Sequence, residues 1–212
     1  MEILAHFIAG KIALHMQFDD EKRAIVAYGL TAIIQIIILF IIISIIGLIF
    51  GFWYESFIIF IVVGIIRKST GGAHSQTMYG CILISVINIM ILSTLSRYIL
   101  NFPINISINL LISVLVYVLC FLVFYNCVPV DSPKKPITKP EKIEKLRRQS
   151  YITITVFLLI SVIFILLSVR YERFYSIAFS IRLAMLWQLF TLTKLGAWFI
   201  NKIDLNFKPI GG

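Results

Sequence analysis

One polar stretch, residues 67–81, carries the side chains whose types and spacing could do chemistry. It holds His74 and Cys81, which are seven residues apart. A thiol becomes a good nucleophile only when a base takes its proton or stabilises its thiolate, so a cysteine–histidine pair would indicate covalent catalysis. On a straight helix the two side chains share a face but lie about 10.5 Å apart along the axis. A hydrogen-bonded pair therefore requires a break in the helix, which Gly80 could supply.

Each of these residues also has a structural interpretation. A cysteine in a membrane helix is most often a small packing residue, which is the role we expect for Cys120 and Cys127. A histidine near a membrane end is usually an interfacial polar side chain, and the pair Gly71-Gly72 is by itself an ordinary turn. Spacing alone therefore leaves catalysis and packing both open.

Other enzyme classes lack their motifs in this chain. The sequence contains no HExxH zinc motif, no GxSxG elbow and no GxxxxGK[ST] phosphate loop. Its three cysteines show no CxxC spacing, which argues against a zinc site or a disulfide framework. The apolar runs contain no aspartate, so a membrane aspartyl protease would lack its carboxylate pair. We therefore expect neither a metal nor a cofactor.

The elements that must position the polar stretch are membrane helices. Of 212 residues, 60% are hydrophobic and 14% are charged, whereas soluble domains run at about 45–50% and about 25%. The mean hydropathy is +0.99. Apolar runs reach the roughly 20 residues that cross about 30 Å of hydrocarbon. We predict an all-α, polytopic membrane protein with about six transmembrane helices, forming one integral-membrane domain over residues 1–212.

The predicted crossings are separated by polar turns. They run over residues 28–46, 57–66, 80–100, 104–127, 152–169 and 176–200. The second has only ten uninterrupted apolar residues, so it either begins earlier, near Phe52, or is re-entrant. Residues 1–27 form an N-terminal segment, and its first 18 residues are predicted to be an amphipathic helix, either interfacial or packed on the bundle. Its large apolar residues would share one broad face: Ile3, Leu4, Phe7, Ile8, Leu14 and Phe18.

The charge distribution predicts the orientation. The net charge is +9, from 19 Lys and Arg against 10 Asp and Glu. A cytoplasmic N-terminus with six crossings keeps most basic residues inside, as the positive-inside rule requires, and makes the C-terminus cytoplasmic as well. Residues 128–150 then form a basic cytoplasmic loop, which continues from Lys142 to Arg148 as a helix into the fifth crossing. Since membrane lipid accounts for the positive charge, we expect no nucleic acid partner.

The polar stretch contains the string Arg67-Lys68-x-x-Gly71-Gly72-x-His74, followed seven residues later by Cys81. This string closely resembles the motif of the accessory gene regulator protein B (AgrB) family. The likeness extends to chain length, to the six-span layout and to the Pro- and Lys-rich segment that begins at Val128. Members of this family are multi-pass cysteine endopeptidases in the cell membrane of Gram-positive bacteria, where they process quorum-sensing propeptides. The resemblance therefore implies a thiol protease that takes part in autoinducing peptide processing.

The resemblance also implies roles for the motif residues. Cys81 matches the family nucleophile and His74 its general base, without a metal. Gly71-Gly72 would let the chain turn tightly before the catalytic helix. The pair Arg67-Lys68 would bind substrate carboxylates or lipid phosphates, or would only fix the topology. A third catalytic group is not evident, and the sequence does not rank the candidates Ser75, Gln76 and Asp131.

The implied substrate is an AgrD-like propeptide, in which an acidic tail follows the signal segment. Cys81 would attack the carbonyl at the end of that segment, form an acyl-thioester and release the tail. An internal cysteine of the peptide would then displace Cys81 and close a thiolactone. The expected contacts of the acidic tail are Lys142, Lys145, Arg147 and Arg148. A homodimer is a possible assembly.

Two non-catalytic hypotheses stay open from the residues alone. A peptide transporter or membrane receptor would be favoured by charged residues inside several spans and by broken helices in matching halves. The predicted spans hold little charge beyond Arg182 and Lys194. A purely structural membrane subunit would give His74 and Cys81 no reason to be reactive.

Overall fold

The structure, a computed structural model, describes residues 2–73, 75, 77–102, 104–130 and 139–205. Within these ranges the chain forms eight α-helices and no strand. They are α1 (Glu2–Met16), α2 (Asp20–Ile49), α3 (Trp53–Thr70), α4 (Met78–Tyr98), α5 (Ile106–Cys127), α6 (Pro140–Leu167), α7 (Arg173–Leu192) and α8 (Lys194–Leu205). A 3₁₀ turn at Ile99–Asn101 extends α4. The prediction of an all-α fold is confirmed.

Five helices in the described part of the chain are long and apolar enough to cross a membrane: α2, α4 with its 3₁₀ turn, α5, α6 and α7. Many large apolar side chains on these helices are exposed, among them Ile91, Leu115 and Leu159. Such surfaces are stable only against other apolar groups, here the lipid chains. The chain is therefore a polytopic membrane protein, as predicted.

The second predicted crossing corresponds to α3, which differs from the other five. It carries Glu55 in its first turn and Arg67 and Lys68 in its last, so its apolar stretch is short. It is nevertheless one continuous helix of 18 residues, about 27 Å long. Its start agrees with the alternative of a helix that begins near Phe52. Since α3 is not among the five helices that are long and apolar enough to cross, the crossing stays a prediction.

The sixth predicted crossing is too long. The structure ends α7 at Leu192, where Thr193 adopts an extended conformation and its Oγ1 accepts a hydrogen bond of 3.1 Å from the N–H of Gly196. This is the geometry of a threonine N-cap, which starts a new helix, α8. A side chain at Gly196 would begin 2.0 Å from the carbonyl oxygen of Phe190, so the turn is tight. The prediction missed the break because apolar residues on both sides of Thr193-Lys194 were taken as one crossing.

The chain divides into two compact units, residues 1–42 and residues 43–212. In the first unit α1 is a helix, as predicted, but its buried positions are small residues four apart: Ala5, Ala9 and Ala13. The large apolar residues remain outside, with Ile3 at 86% and Leu14 at 84% exposure. Whether α1 is interfacial or packed on the bundle stays a prediction.

In the second unit α7 is the central helix, because it packs against α3, α4, α5, α6 and α8. At one end of the bundle, the buried carboxylate of Glu55 accepts a 2.7 Å hydrogen bond from Ser176 and lies 3.7 Å from Arg97. These contacts join the start of α3, the end of α4 and the start of α7. The polar stretch that the sequence singled out lies between the opposite ends of α3 and α4, where the end of α7 contacts it.

Candidate functional site

Cys81 lies in the first turn of α4. Thr77 caps this helix: its backbone is extended, its side-chain oxygen accepts a hydrogen bond of 3.2 Å from the N–H of Gly80, and its carbonyl accepts one of 3.0 Å from Cys81. The N-terminus of a helix carries partial positive charge, which favours an anionic group in this turn. The position therefore suits a side chain that must become negatively charged to react.

The break between positions 74 and 81 lies earlier than Gly80. Gly80 is inside α4, and the non-helical part of the chain ends at Thr77, because the threonine cap starts the helix there. His74 and Gln76 lie outside the described residues. The contact between His74 and Cys81 therefore remains a prediction.

The turn predicted at Gly71-Gly72 is present. The two glycines have φ angles of +70° and +118°, which residues with a side chain rarely adopt. Gly71 pairs with Val130 in a short parallel bridge, in which the N–H of Val130 donates to the carbonyl of Thr70 at 2.9 Å. A Cβ at Gly71 would lie 2.2 Å from the carbonyl oxygen of Val130. The start of the 128–150 segment is thus fastened to this turn.

The central helix α7 is also hydrogen-bonded to the glycine turn and the residues beside it. The amide nitrogen of Gln188 donates to the hydroxyl of Thr70 and to the carbonyl of Gly71, each at 2.8 Å. The carbonyl of Thr191 accepts a 2.9 Å hydrogen bond from the N–H of Ala73. The sequence analysis missed Gln188, although a buried polar residue in an apolar span is a signal for such a contact.

In this structure the Arg67 guanidinium binds backbone carbonyls at the glycine turn. Its Nη2 donates to the carbonyl of Ala73 at 2.6 Å and approaches that of Gly72 at 3.4 Å. Arg67 and Cys81 line the same small cavity, so the guanidinium lies close to the Cys81 thiol. The guanidinium thus bridges the glycine turn and the surroundings of Cys81. Lys68, in contrast, is exposed.

The last described helix contributes a carboxylate that the sequence analysis did not consider. Asp204 of α8 is 3% exposed, and its Oδ1 accepts hydrogen bonds from the hydroxyls of Ser75 and Thr77, the latter at 2.9 Å. Ser75 was one of the three candidates for a third group, and the structure places it here. Asp131, like Gln76, lies outside the described residues. The signal for Asp204 was weak, because it is one acidic residue in a short apolar and basic helix.

A small cavity of about 20 Å³ adjoins Cys81. Its lining comes from both sides of the turn and from α4, α7 and α8: Arg67, Ala73, Ser75, Cys81, Ile84, Ser85, Trp187 and Ile200. This volume holds about one water molecule. It is therefore too small to hold a peptide segment.

The other two cysteines lie elsewhere. Cys120 is fully buried in α5, and Cys127 is the last residue of that helix. Within the described ranges, no group of three His, Cys, Asp or Glu side chains could hold a metal ion.

The basic residues predicted to contact an acidic tail lie in the first turns of α6, which begins at Pro140. All four are exposed: Lys142, Lys145, Arg147 and Arg148. Arg147 also donates from Nε to the carbonyl of Val128 at 3.2 Å. Since Val130 is bonded to Thr70, this contact links the basic helix to the glycine turn.

The fold and site define a multi-pass helical membrane protein with a cysteine at a helix N-terminus beside a glycine turn. A model of the family described as accessory gene regulator B matches residues 5–192. Similar proteins include two from Clostridium perfringens, named “Putative AgrB-like protein” (strain SM101 / Type A) and “Putative AgrB-like protein 2” (strain 13 / Type A). They are 30% and 29% identical over 206 and 208 residues, and each alignment covers 96% of both chains. No solved structure matches the chain significantly.

The chain belongs to the accessory gene regulator B family. This membership supports a peptidase-like role in the accessory gene regulator quorum-sensing system, and it agrees with the resemblance that the motif indicated.

Proposed function

We propose that the protein is a membrane cysteine endopeptidase that cleaves the acidic tail from an AgrD-like propeptide. The observation that carries the proposal is the position of Cys81 in the first turn of α4, beside the turn held by Arg67. The helix N-terminus and the nearby guanidinium both favour the anionic thiolate, which is the reactive form of a cysteine.

In the proposed reaction His74 takes the proton of Cys81, and the sulfur attacks the carbonyl carbon at the end of the signal segment. The scissile C–N bond breaks, His74 returns its proton to the leaving amine, and an acyl-thioester to Cys81 remains. Backbone N–H groups at the start of α4 are the expected donors to the oxyanion. The thiol of an internal cysteine then displaces Cys81, so one thioester replaces another and the ring closes at little cost in free energy.

The first test compares the three cysteines. Cys81→Ala and His74→Ala should each abolish cleavage of the propeptide by the protein in lipid vesicles, because the nucleophile or its base is lost. Cys120→Ala and Cys127→Ala are matched controls that should retain cleavage, since both thiols lie outside the site. Release of the tail is measured by mass spectrometry. Cleavage by the Cys81→Ala protein would refute the mechanism.

A further inference from the structure

The last described helix, α8, has two contrasting faces. Its inner face carries Gly196, Ile200 and Asp204, which follow each other at intervals of four and are buried. Ile200 also lines the small cavity beside Cys81. The opposite face is exposed and mixes apolar with polar and basic side chains: Lys194, Leu195, Trp198, Phe199, Asn201 and Lys202. Such a face suits a partner that offers both apolar and anionic groups.

The helix starts where a membrane-spanning helix ends. α7 is one of the five helices that are long and apolar enough to cross, and its last residue, Leu192, is two positions before α8. The 12 residues of α8 extend over about 18 Å, which is less than the roughly 30 Å of a hydrocarbon core. The helix is therefore too short to cross, and its first residues must lie close to the depth at which α7 leaves the hydrocarbon.

The exposed face of α8 is sorted by polarity. At about 100° per residue, side chains four or seven positions apart lie close to one line along a helix. Leu195 and Phe199 therefore form an apolar edge, and Lys194 and Asn201 form a polar edge on the other side. Trp198 lies between the two edges. A helix in the surface of a membrane has this arrangement, because one edge enters the apolar layer while the other faces water.

Trp198 and Lys202 have the chemistry that the headgroup layer requires. Tryptophan concentrates at membrane–water interfaces, since its ring is apolar and its N–H is polar. The Nζ of Lys202 is 4.9 Å from the centre of the Trp198 ring, so the charge and the ring lie together. Lys194 adds a second charge, and the exposed face contains no acidic residue. A second copy of this face would bring like charges together, whereas anionic headgroups attract them.

We propose that α8 is an interfacial helix that binds anionic lipid. Its apolar edge enters the acyl-chain layer, Trp198 and Lys202 lie among the headgroups, and the polar edge faces water. Because Ile200 lines the cavity of Cys81, α8 contacts lipid with one face and the candidate site with the other. The inference goes beyond the proposed function, since lipid binding by this helix does not require a peptidase.

The first arm of the test measures the depth of α8 in vesicles of phosphatidylcholine and phosphatidylglycerol. In a chain without native cysteines, a nitroxide label is attached to Leu195→Cys, Phe199→Cys or Asn201→Cys. Its collisions with oxygen and with a water-soluble nickel chelate give its depth. We expect the two labels on the apolar edge to lie about 5–10 Å below the phosphates, and the label on Asn201→Cys to lie at or above them. Leu159→Cys, at an exposed position of the membrane-spanning helix α6, is the control and should report hydrocarbon.

The second arm tests the headgroup charge. In a Trp53→Phe/Trp187→Phe chain, Trp198 is the remaining tryptophan, and quenching of its fluorescence by brominated phosphatidylglycerol is compared with quenching by brominated phosphatidylcholine. We expect an about fivefold preference for phosphatidylglycerol, which corresponds to the roughly 1 kcal/mol that one basic residue gains at an anionic surface. Lys202→Gln should abolish this preference. Arg170→Gln removes an exposed charge beyond the other end of α7 and is the matched control that should keep it.

The remaining outcomes overturn the inference. Labels on the apolar edge that collide with neither reagent would indicate a protein contact, such as a second copy of the chain. Three labels in water, or three deep in the hydrocarbon, would indicate a free or a fully embedded helix. Equal quenching by the two lipids, or a preference that survives in Lys202→Gln, would contradict the assigned headgroup contact. Neither arm measures cleavage, so this inference and the proposed peptidase function fail or stand separately.

Discussion

At the scale of single residues, the glycine turn leaves no room for a side chain. At Gly71 a positive φ combines with a carbonyl oxygen of Val130 that would be 2.2 Å from a Cβ. The oxygen belongs to backbone, which cannot rotate away as a flexible side chain can. The turn is also held by hydrogen bonds from Gln188 to the carbonyl of Gly71 and from Arg67 to that of Gly72. A residue with a Cβ must therefore displace the bridge or the turn itself.

Gly71→Ala should destabilise the protein by about 1–3 kcal/mol, because it adds backbone strain and a steric clash. Gly64→Ala is the control, since its Cβ would meet nothing within 4 Å. Gly64 lies inside α3, where alanine favours the helix by up to about 1 kcal/mol. Thermal unfolding in detergent micelles should give a lower Tm for Gly71→Ala and an equal or higher Tm for Gly64→Ala. Equal losses in both variants would contradict this account of the turn.

At the scale of helices, the start of α6 links a group of basic residues to the glycine turn. Its first turns hold four exposed basic residues, and Arg147 is bonded to the carbonyl of Val128, two residues before the strand-like contact with the glycine turn. Two effects compete for this basic face: attraction of the acidic tail and attraction of anionic lipid. Each basic residue near an anionic surface contributes roughly 1 kcal/mol, which decays over a Debye length of about 8 Å.

We expect capture of the tail to dominate. Replacing Lys142, Lys145, Arg147 and Arg148 with Gln should raise KM several-fold and leave kcat nearly unchanged, and the effect should shrink when the acidic residues of the tail are neutralised. A second variant replaces only Lys142, Lys145 and Arg148 and therefore keeps the hydrogen bond from Arg147 to Val128. It separates the effect of lost charge from the effect of losing that bond. Cleavage assays in vesicles without detergent give both constants. Equal losses with acidic and neutralised tails would instead assign the basic face to lipid.

At the scale of the whole molecule, the charge bias predicts that α6 begins inside the cell and that the α6–α7 turn lies outside. In a chain without native cysteines, an impermeant maleimide should label Arg170→Cys on intact cells. Lys142→Cys should be labelled only after the cells are permeabilised. Because the result at both positions depends on the number of crossings before them, it also tests whether α3 spans the membrane. The reverse pattern would overturn the predicted orientation.

The sequence predicted the helices well because each crossing is a local feature, a run of apolar residues. It also identified the Arg67–Cys81 stretch, since that motif is continuous in the chain. It did not find Gln188 or Asp204, whose bonds to Gly71 and Ser75 join residues 117 and 129 positions apart. Nor did it find the break at Thr193, because the short polar interruption Thr193-Lys194 has apolar residues on both sides and was taken as part of one crossing. Long-range contacts and single caps leave little trace in periodicity.

The contribution of α8 to the site sets an order of events during biosynthesis. Residue 204 follows residue 81 by 123 positions (204 − 81). At roughly 5–20 residues per second, the ribosome supplies Asp204 about 6–25 s after Cys81. During that interval the nascent chain holds its thiol without the carboxylate that fastens Ser75 and Thr77. A chain whose translation stops before α8 therefore lacks Asp204 and the hydrogen bonds that its carboxylate accepts from Ser75 and Thr77.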